Sequence, residues 1–188
     1  FIDTEIMPHA DDWDEAGHIP IELWPKAAAV GLLGMGYPEE FGGVTEGIDW
    51  RHRWIASEEL ARIGAGGIAA SLMVHGIGLP PVINWGSQAL KEMVAPAVLA
   101  GRKHISLGIT EPGAGSDLAG VRTSSRLDDG HFVVNGQKVW SSFAHIADFC
   151  ILLTRSDPDS SRHAGLTYLV VDMHAPGVDV RPLRQITG

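Results

Sequence analysis

HISLGITEPGAGSD, residues 104–117, is an apolar strand that runs into a glycine-broken loop and closes on a hydroxyl and a carboxylate. The stretch before it reads as helices and the stretch after it as strands, so the fold class turns here. Gly113 and Gly115 remove two Cβ atoms and open positive-φ conformations, which lets backbone N–H groups turn inward and approach a flat or anionic ligand. Thr110 and Ser116 set hydroxyls on either side of the turn, and Pro112 stiffens the approach to it. A loop that only reverses the chain needs one Gly or Asn. This set predicts a ligand cradle without naming the ligand.

Upstream, Ser87 can cap a helix whose apolar positions Leu90, Met93, Val94, Ala97 and Val98 follow a helical stripe. Pro96 is expected to break that helix into two pieces, and Gly101 to end the second. Another helix is expected over residues 50–63, with Trp50, Trp54 and Ala61 on one stripe and Glu58 set to pair with Arg62. A helix over residues 21–30 precedes the loop GLLGMGYPEEFGG. Residues 68–85 are apolar almost all round, which predicts a buried helix interrupted near Pro80 and Pro81.

Downstream, the period changes from Lys103. Short strands are predicted over residues 121–127, 131–134 and 137–142, with two-residue hairpin turns at Asp129-Gly130 and Asn135-Gly136. Further strands are expected over residues 148–155, 166–173 and 178–183, with loops at Asp157-Pro158 and Pro176-Gly177. The reading is an α+β chain: an N-terminal α-helical domain over residues 1–102, then an antiparallel β-barrel-like middle domain over residues 103–188. The glycines never form GxGxxG at a strand-to-helix junction, so a Rossmann site is not supported.

Composition narrows the function classes. Of the 188 residues, 45% are hydrophobic and 20% charged, an ordinary globular balance. The net charge of −9 argues against a nucleic-acid partner, whose phosphates need a basic face. Asp11, Asp12, Asp14 and Glu15 lack the hydroxyl, amide and Gly positions of a calcium loop and read as a solvated loop. The nine histidines show no HExxH spacing, so no metal is expected. Cys150 stands alone in the apolar DFCILL and reads as a small buried hydrophobe, which fits a reducing compartment. Residues 27–35, taken as the longest apolar stretch, fall short of the ~20 residues of a membrane span, so none is expected.

A second segment, NGQKVWSSFAHIAD at residues 135–148, starts at a turn and ends in a Trp followed by two serines. Together, TEPGAGSDLAGVRT (110–123) and NGQKVWSS (135–142) resemble the acyl-CoA dehydrogenase family of flavoproteins in content, order and separation. PEEFGG (38–43), EEL (58–60) and Gly101 fit the same pattern. The resemblance implies FAD as cofactor, with flavin contacts from Leu107, Ile109, Thr110, Gly115 and Ser116 on the first motif and from Trp140, Ser141 and Ser142 on the second. It also implies that Ser116 touches the acyl-CoA substrate. The implied reaction is α,β-desaturation of an acyl-CoA thioester, with hydride passing to flavin N5 and electrons onward to an electron-transferring flavoprotein. A homodimer or homotetramer, in the cytoplasm or a mitochondrial matrix, would be the setting. The central expectation is that Thr110, Ser116 and Ser142 converge on one planar guest.

Each residue has a plainer reading beside this one. Trp140 on its own reads as a core aromatic at a strand end, and Ser141 and Ser142 as strand-end serines. Many relatives carry an apolar residue followed by Thr at those two places, so Ser142 keeps a hydroxyl while Ser141 loses an apolar wall. Glu111 and Asp117 in a Pro- and Gly-rich turn read as acceptors that orient backbone N–H groups rather than as a catalytic base. His75, in LMVHGIG, reads as a buried histidine satisfied by a carbonyl. The family's C-terminal helical bundle, which carries the catalytic Glu in the subfamilies compared, is not in these residues, so no catalytic residue is assigned. The chain, which opens on Phe1, is expected to be a fragment that binds FAD weakly and does not turn over. The alternatives are a non-catalytic flavin- or acyl-CoA-binding subunit, or an acyl-CoA oxidase.

Overall fold

The computed structural model describes residues 1–183. They form two compact units, Phe1–His104 and Ile105–Leu183. The class is α+β: helices in the first unit, a five-stranded sheet in the second.

The helical unit contains α1 (Ala10–Ala16), α2 (Leu23–Ala29), α3 (Trp50–Ala61), α4 (Gly66–Met73), α5 (His75–Trp85) and α6 (Gln88–Leu99). The acidic segment expected as a loop is α1, with Asp11 and Asp12 in its first turn, where the helix dipole favours negative charge. Asp49 caps α3 by accepting from the Arg51 N–H at 2.9 Å, while its own N–H donates to His52 Nδ1 at 3.2 Å. Trp50 and Trp54 are exposed and meet edge to face. Arg62 pairs with Glu59 and Asp3 rather than with Glu58, because those two acids share one guanidinium.

Both proline expectations are corrected. Ser87 caps α6 as expected, accepting from the Leu90 N–H at 3.3 Å, but α6 runs unbroken through Pro96. Pro96 forfeits one bond to the Glu92 carbonyl, and Glu92 is exposed, so water can take it. Buried Val94, Ala95, Val98 and Leu99 hold the helix down on both sides of it. In the same way α5 continues through Pro80 and Pro81, whose absent N–H groups would have bonded the exposed residues Gly76 and Ile77. The break in this region falls at Val74 instead, where the backbone tightens to three-residue bonds, Val74 N–H to Ser71 O and Ile77 N–H to Val74 O. The run Gly66–Trp85 exceeds residues 27–35 and is long and apolar enough to cross a membrane by length and composition alone. Its Ile68, Leu72, Leu79 and Val82 are buried within this chain.

The β unit comprises β1 (Ile105–Gly108), β2 (Ser124–Asp128), β3 (His131–Asn135), β4 (Phe149–Arg155) and β5 (Leu166–Asp172). The sheet is mixed and open rather than antiparallel and barrel-like. β4 pairs antiparallel with β5 along its whole length, from Phe149↔Asp172 to Arg155↔Leu166. β1 pairs with β4 in parallel, from Ile105↔Phe149 to Gly108↔Leu152, and β2 joins in parallel at Ser124↔Arg155. The physical reason is the long excursion over residues 109–123. It carries the chain onward between β1 and β2, so both run along β4 in its own direction, where a hairpin would have reversed them.

Asp129-Gly130 makes the expected hairpin between β2 and β3, with φ of 46° and 78° at its two residues. Asn135-Gly136 does not. Residues 137–142 form no strand, because Gly136 lies directly against Thr123 and the chain then runs beside the glycine loop. A Cβ at Gly136 would overlap the Thr123 side chain and backbone. Residues 178–183 also form no strand; they are exposed, and no sheet edge pairs with them. The core of this unit gathers Ala114, Val121 and Leu153, with Ile109, Leu118 and Leu166 packed against them. Cys150 is buried in β4.

Candidate functional site

The glycine loop leaves β1 and folds back on itself through a reciprocal pair of bonds, Glu111 N–H to Ala114 O at 2.9 Å and Ala114 N–H to Glu111 O at 3.1 Å. That closure needs no left-handed residue. Gly113 and Gly115 are absent from the positive-φ positions, which corrects the conformational reason given for them. Their smallness matters differently: a Cβ at either would meet nothing within 4 Å, so each opens onto clear space. Both glycines are exposed, so a side chain at either would stand out from the loop into that space.

The second motif lies directly against the first. Val139 N–H donates to the Thr110 carbonyl at 2.9 Å. Lys138 Nζ donates to the Ile109 carbonyl at 2.9 Å and to Glu111 Oε1 at 2.8 Å. The structure thus brings Ile109, Thr110 and Glu111 together with Lys138 and Val139, and Trp140 follows next in the chain. Leu107 sits in β1 opposite Ile151, and Ile109 packs on the β-unit core, so these two offer backbone and packing. Gly115 and Ser116 stand exposed farther round the loop, and no hydrogen bond ties Ser116 to Ser142.

Trp140 is 67% exposed and has φ of 61°, a left-handed conformation that is rare for a bulky side chain. It is neither in a strand nor in the core. Phe143 is left-handed as well, with φ of 62°, so the two serines sit between two strained residues. The Ser141 hydroxyl is buried without a partner, and among the described residues the hydroxyls of Thr110, Ser116 and Ser142 make no hydrogen bond. A buried hydroxyl without a partner at Ser141, next to the exposed Trp140 ring, suits a planar ring with polar edges. Trp140, Ser141 and the adjoining Thr110 are chemically compatible with a flavin, while Gly115 and Ser116 lie exposed farther round the loop.

Glu111 is the electrostatic centre. Burial raises its pKa. The Lys138 ammonium, the adjacent Thr123 hydroxyl and the N–H groups of Arg122 and Thr123 outweigh that and hold it at about 2. Both N–H groups donate to it at 2.8 Å. An acid fixed in this way orients backbone and is a poor proton acceptor near neutrality. Lys138 is the residue that sequence reasoning passed over. Its signal was a lone lysine two positions before Trp140, with a glutamate waiting in the other motif.

A cleft of about 320 Å³ also borders the loop, lined by Glu111, Pro112, Gly113, Gly120, Arg122, Thr123, Gly136 and Gln137. None of the eight residues predicted to hold the flavin lines it. In the helical unit, His75 is buried and bonded through Nε2 to the Leu33 carbonyl at 3.0 Å. No cluster of three or more His, Cys, Asp or Glu capable of holding a metal occurs among the described residues.

Comparison with known proteins gives the family and the fold. Residues 1–102 match the family model for the acyl-CoA dehydrogenase N-terminal domain, and residues 106–188 match that for the middle domain. The acyl-CoA dehydrogenase IpdE1 of Mycobacterium tuberculosis is 42% identical over 163 residues, which is 87% of this chain and 42% of that protein. The crystal structure of a probable acyl CoA dehydrogenase from Mycobacterium abscessus superposes with a TM-score of 0.87 at 39% identity, over 94% of this chain and 46% of that one. A glutaryl-CoA dehydrogenase from Mycobacterium smegmatis in complex with FADH2 gives 0.83 at 29% identity, over 94% of this chain and 44% of that one. The chain therefore spans less than half the length of these relatives.

Proposed function

Because the chain belongs to the acyl-CoA dehydrogenase family through its N-terminal and middle domains, we propose that it forms the flavin-facing part of an FAD-dependent acyl-CoA dehydrogenase. In this reading Trp140 offers its exposed ring to one face of the isoalloxazine. Thr110, Ser116 and Ser142 offer hydroxyls to its polar edge, and Ser141 has a buried hydroxyl to spend there. Leu107 and Ile109 supply packing and backbone, and Gly115 keeps the approach clear. Ser116 doubles as a contact for the acyl-CoA. When bound, FAD supplies the hydride acceptor for α,β-desaturation of the thioester. Glu111 is spoken for by three donor groups and does not take the α proton. The partners in this reading are an acyl-CoA and an electron-transferring flavoprotein, and the complete enzyme is a homodimer or homotetramer.

One observation supports this above the others: Val139 N–H bonds the Thr110 carbonyl and sets an exposed, left-handed Trp140 beside a loop whose glycines face open space. The test is a titration of FAD into the chain, followed by flavin fluorescence. Weak but saturable quenching is expected, fitting a single site. Trp140→Ala and Gly115→Val should each weaken it without moving the melting temperature. A wild-type chain that takes up no FAD would sink the reading, as would variants that bind as tightly as the wild type.

A further inference from the structure

Resting on the flavin reading above, we infer that the buried Lys138–Glu111 ion pair is a positioning brace that sets Trp140 and its serines relative to Thr110. The two side chains are 9% and 8% exposed. Three bonds join the motifs within a few residues: Lys138 Nζ to Glu111 Oε1, Lys138 Nζ to Ile109 O, and Val139 N–H to Thr110 O. The next residue is Trp140, whose left-handed backbone persists only when its surroundings impose it. Beyond it, the turn is tied internally by Ala144 N–H to Ser141 O and Ile146 N–H to Phe143 O, which do not anchor it to the glycine loop.

The Arg122 and Thr123 N–H groups already engage both oxygens of Glu111. Lys138 adds the counter-charge and, unlike those two N–H groups, a link between the motifs. Buried ion pairs are poor stabilisers when compared with apolar groups of similar shape. Lys138 is a positioning residue: it acts on the flavin site through Trp140 and Thr110.

The test compares the wild-type chain with Lys138→Met, which keeps most of the stem, and Lys138→Arg, which restores the cation. Amide hydrogen exchange needs no cofactor. In Lys138→Met, exchange at Val139 is expected to rise about tenfold or more beyond any rise at Cys150 and Ile151 in β4, which report the stability of the unit as a whole. In parallel, FAD affinity should fall about tenfold with a changed flavin absorption envelope, and Lys138→Arg should recover both. Equal acceleration at Val139 and β4 would make the pair merely structural and overturn the inference. Unchanged exchange at Val139 overturns it too, and so does a Lys138→Met chain that binds FAD with wild-type affinity and spectrum. A wild-type chain that binds no FAD refutes the flavin reading and removes the brace's purpose with it, a result distinct from all of these.

Discussion

Replacing Glu111 with Gln should make the β unit less stable at neutral pH and remove a specific slope from its acid unfolding. The carboxyl stands at about 2 in the fold against 4.5 ordinarily. At ~1.4 kcal/mol per pKa unit, that difference is about 3 kcal/mol of stability at pH 7. The sign follows from the direction. A lowered carboxylate stabilises fully above about pH 4.5, and the gain is lost as pH falls toward 2, with about 1.4 kcal/mol surviving at pH 3. Glu111→Gln forfeits that gain and leaves the Lys138 ammonium buried without its counter-charge, a loss of about 3–5 kcal/mol. The assay is urea unfolding followed through the β4 amide signals at pH 7, 5, 4 and 3, for wild type and variant. The gap between them should be several kcal/mol at pH 7 and about 2 kcal/mol narrower at pH 3. Other acids titrate in both chains and cancel in the difference. A gap below about 1 kcal/mol at pH 7, or one that stays constant down to pH 3, would refute this account of the carboxylate.

Gly136→Ala should lower β-unit stability by about 2 kcal/mol or more, because the added methyl overlaps Thr123; a melting temperature within a degree or two of wild type would contradict that close approach. His75 is held below its ordinary pKa by burial, against the raising effect of carbonyls at Leu33 and Leu72. Its neutral form is therefore the folded one, and helical-unit stability should be complete above about pH 6.5 and decline as pH falls below it. His75→Gln should flatten that decline, as read by thermal melts between pH 7 and 5, and an unchanged slope would assign it to other groups.

Much of the architecture follows from local signals. Ser87 announces the cap of α6, Asp129-Gly130 announces the β2–β3 hairpin, and DFCILL marks the buried central strand. The errors have a common origin in treating a strong local residue as decisive. Pro96, Pro80 and Pro81 do not break their helices, since the carbonyls they abandon belong to exposed residues and apolar neighbours stay buried on either side. Asn135-Gly136 carries the same turn signature as Asp129-Gly130, yet its glycine serves a close approach to Thr123. At the candidate site, the two motifs and their hydroxyls were legible as residue types. The partnership of Lys138 with Glu111 was not, because 26 residues lie between them in the sequence.

By itself the sequence determined the class of elements, the change from helix to strand near residue 103, and the two motifs that mark the family. These depend on periodicity, turn chemistry and residue identity, all of which act over a few positions. Tertiary structure alone decided that the sheet is mixed and open, that Trp140 stands exposed in a left-handed backbone, and that a buried ion pair joins the two motifs. Those outcomes depend on which segments meet across long stretches of chain. Burial and hydrogen-bond satisfaction settle that, and neither can be summed from neighbouring residues.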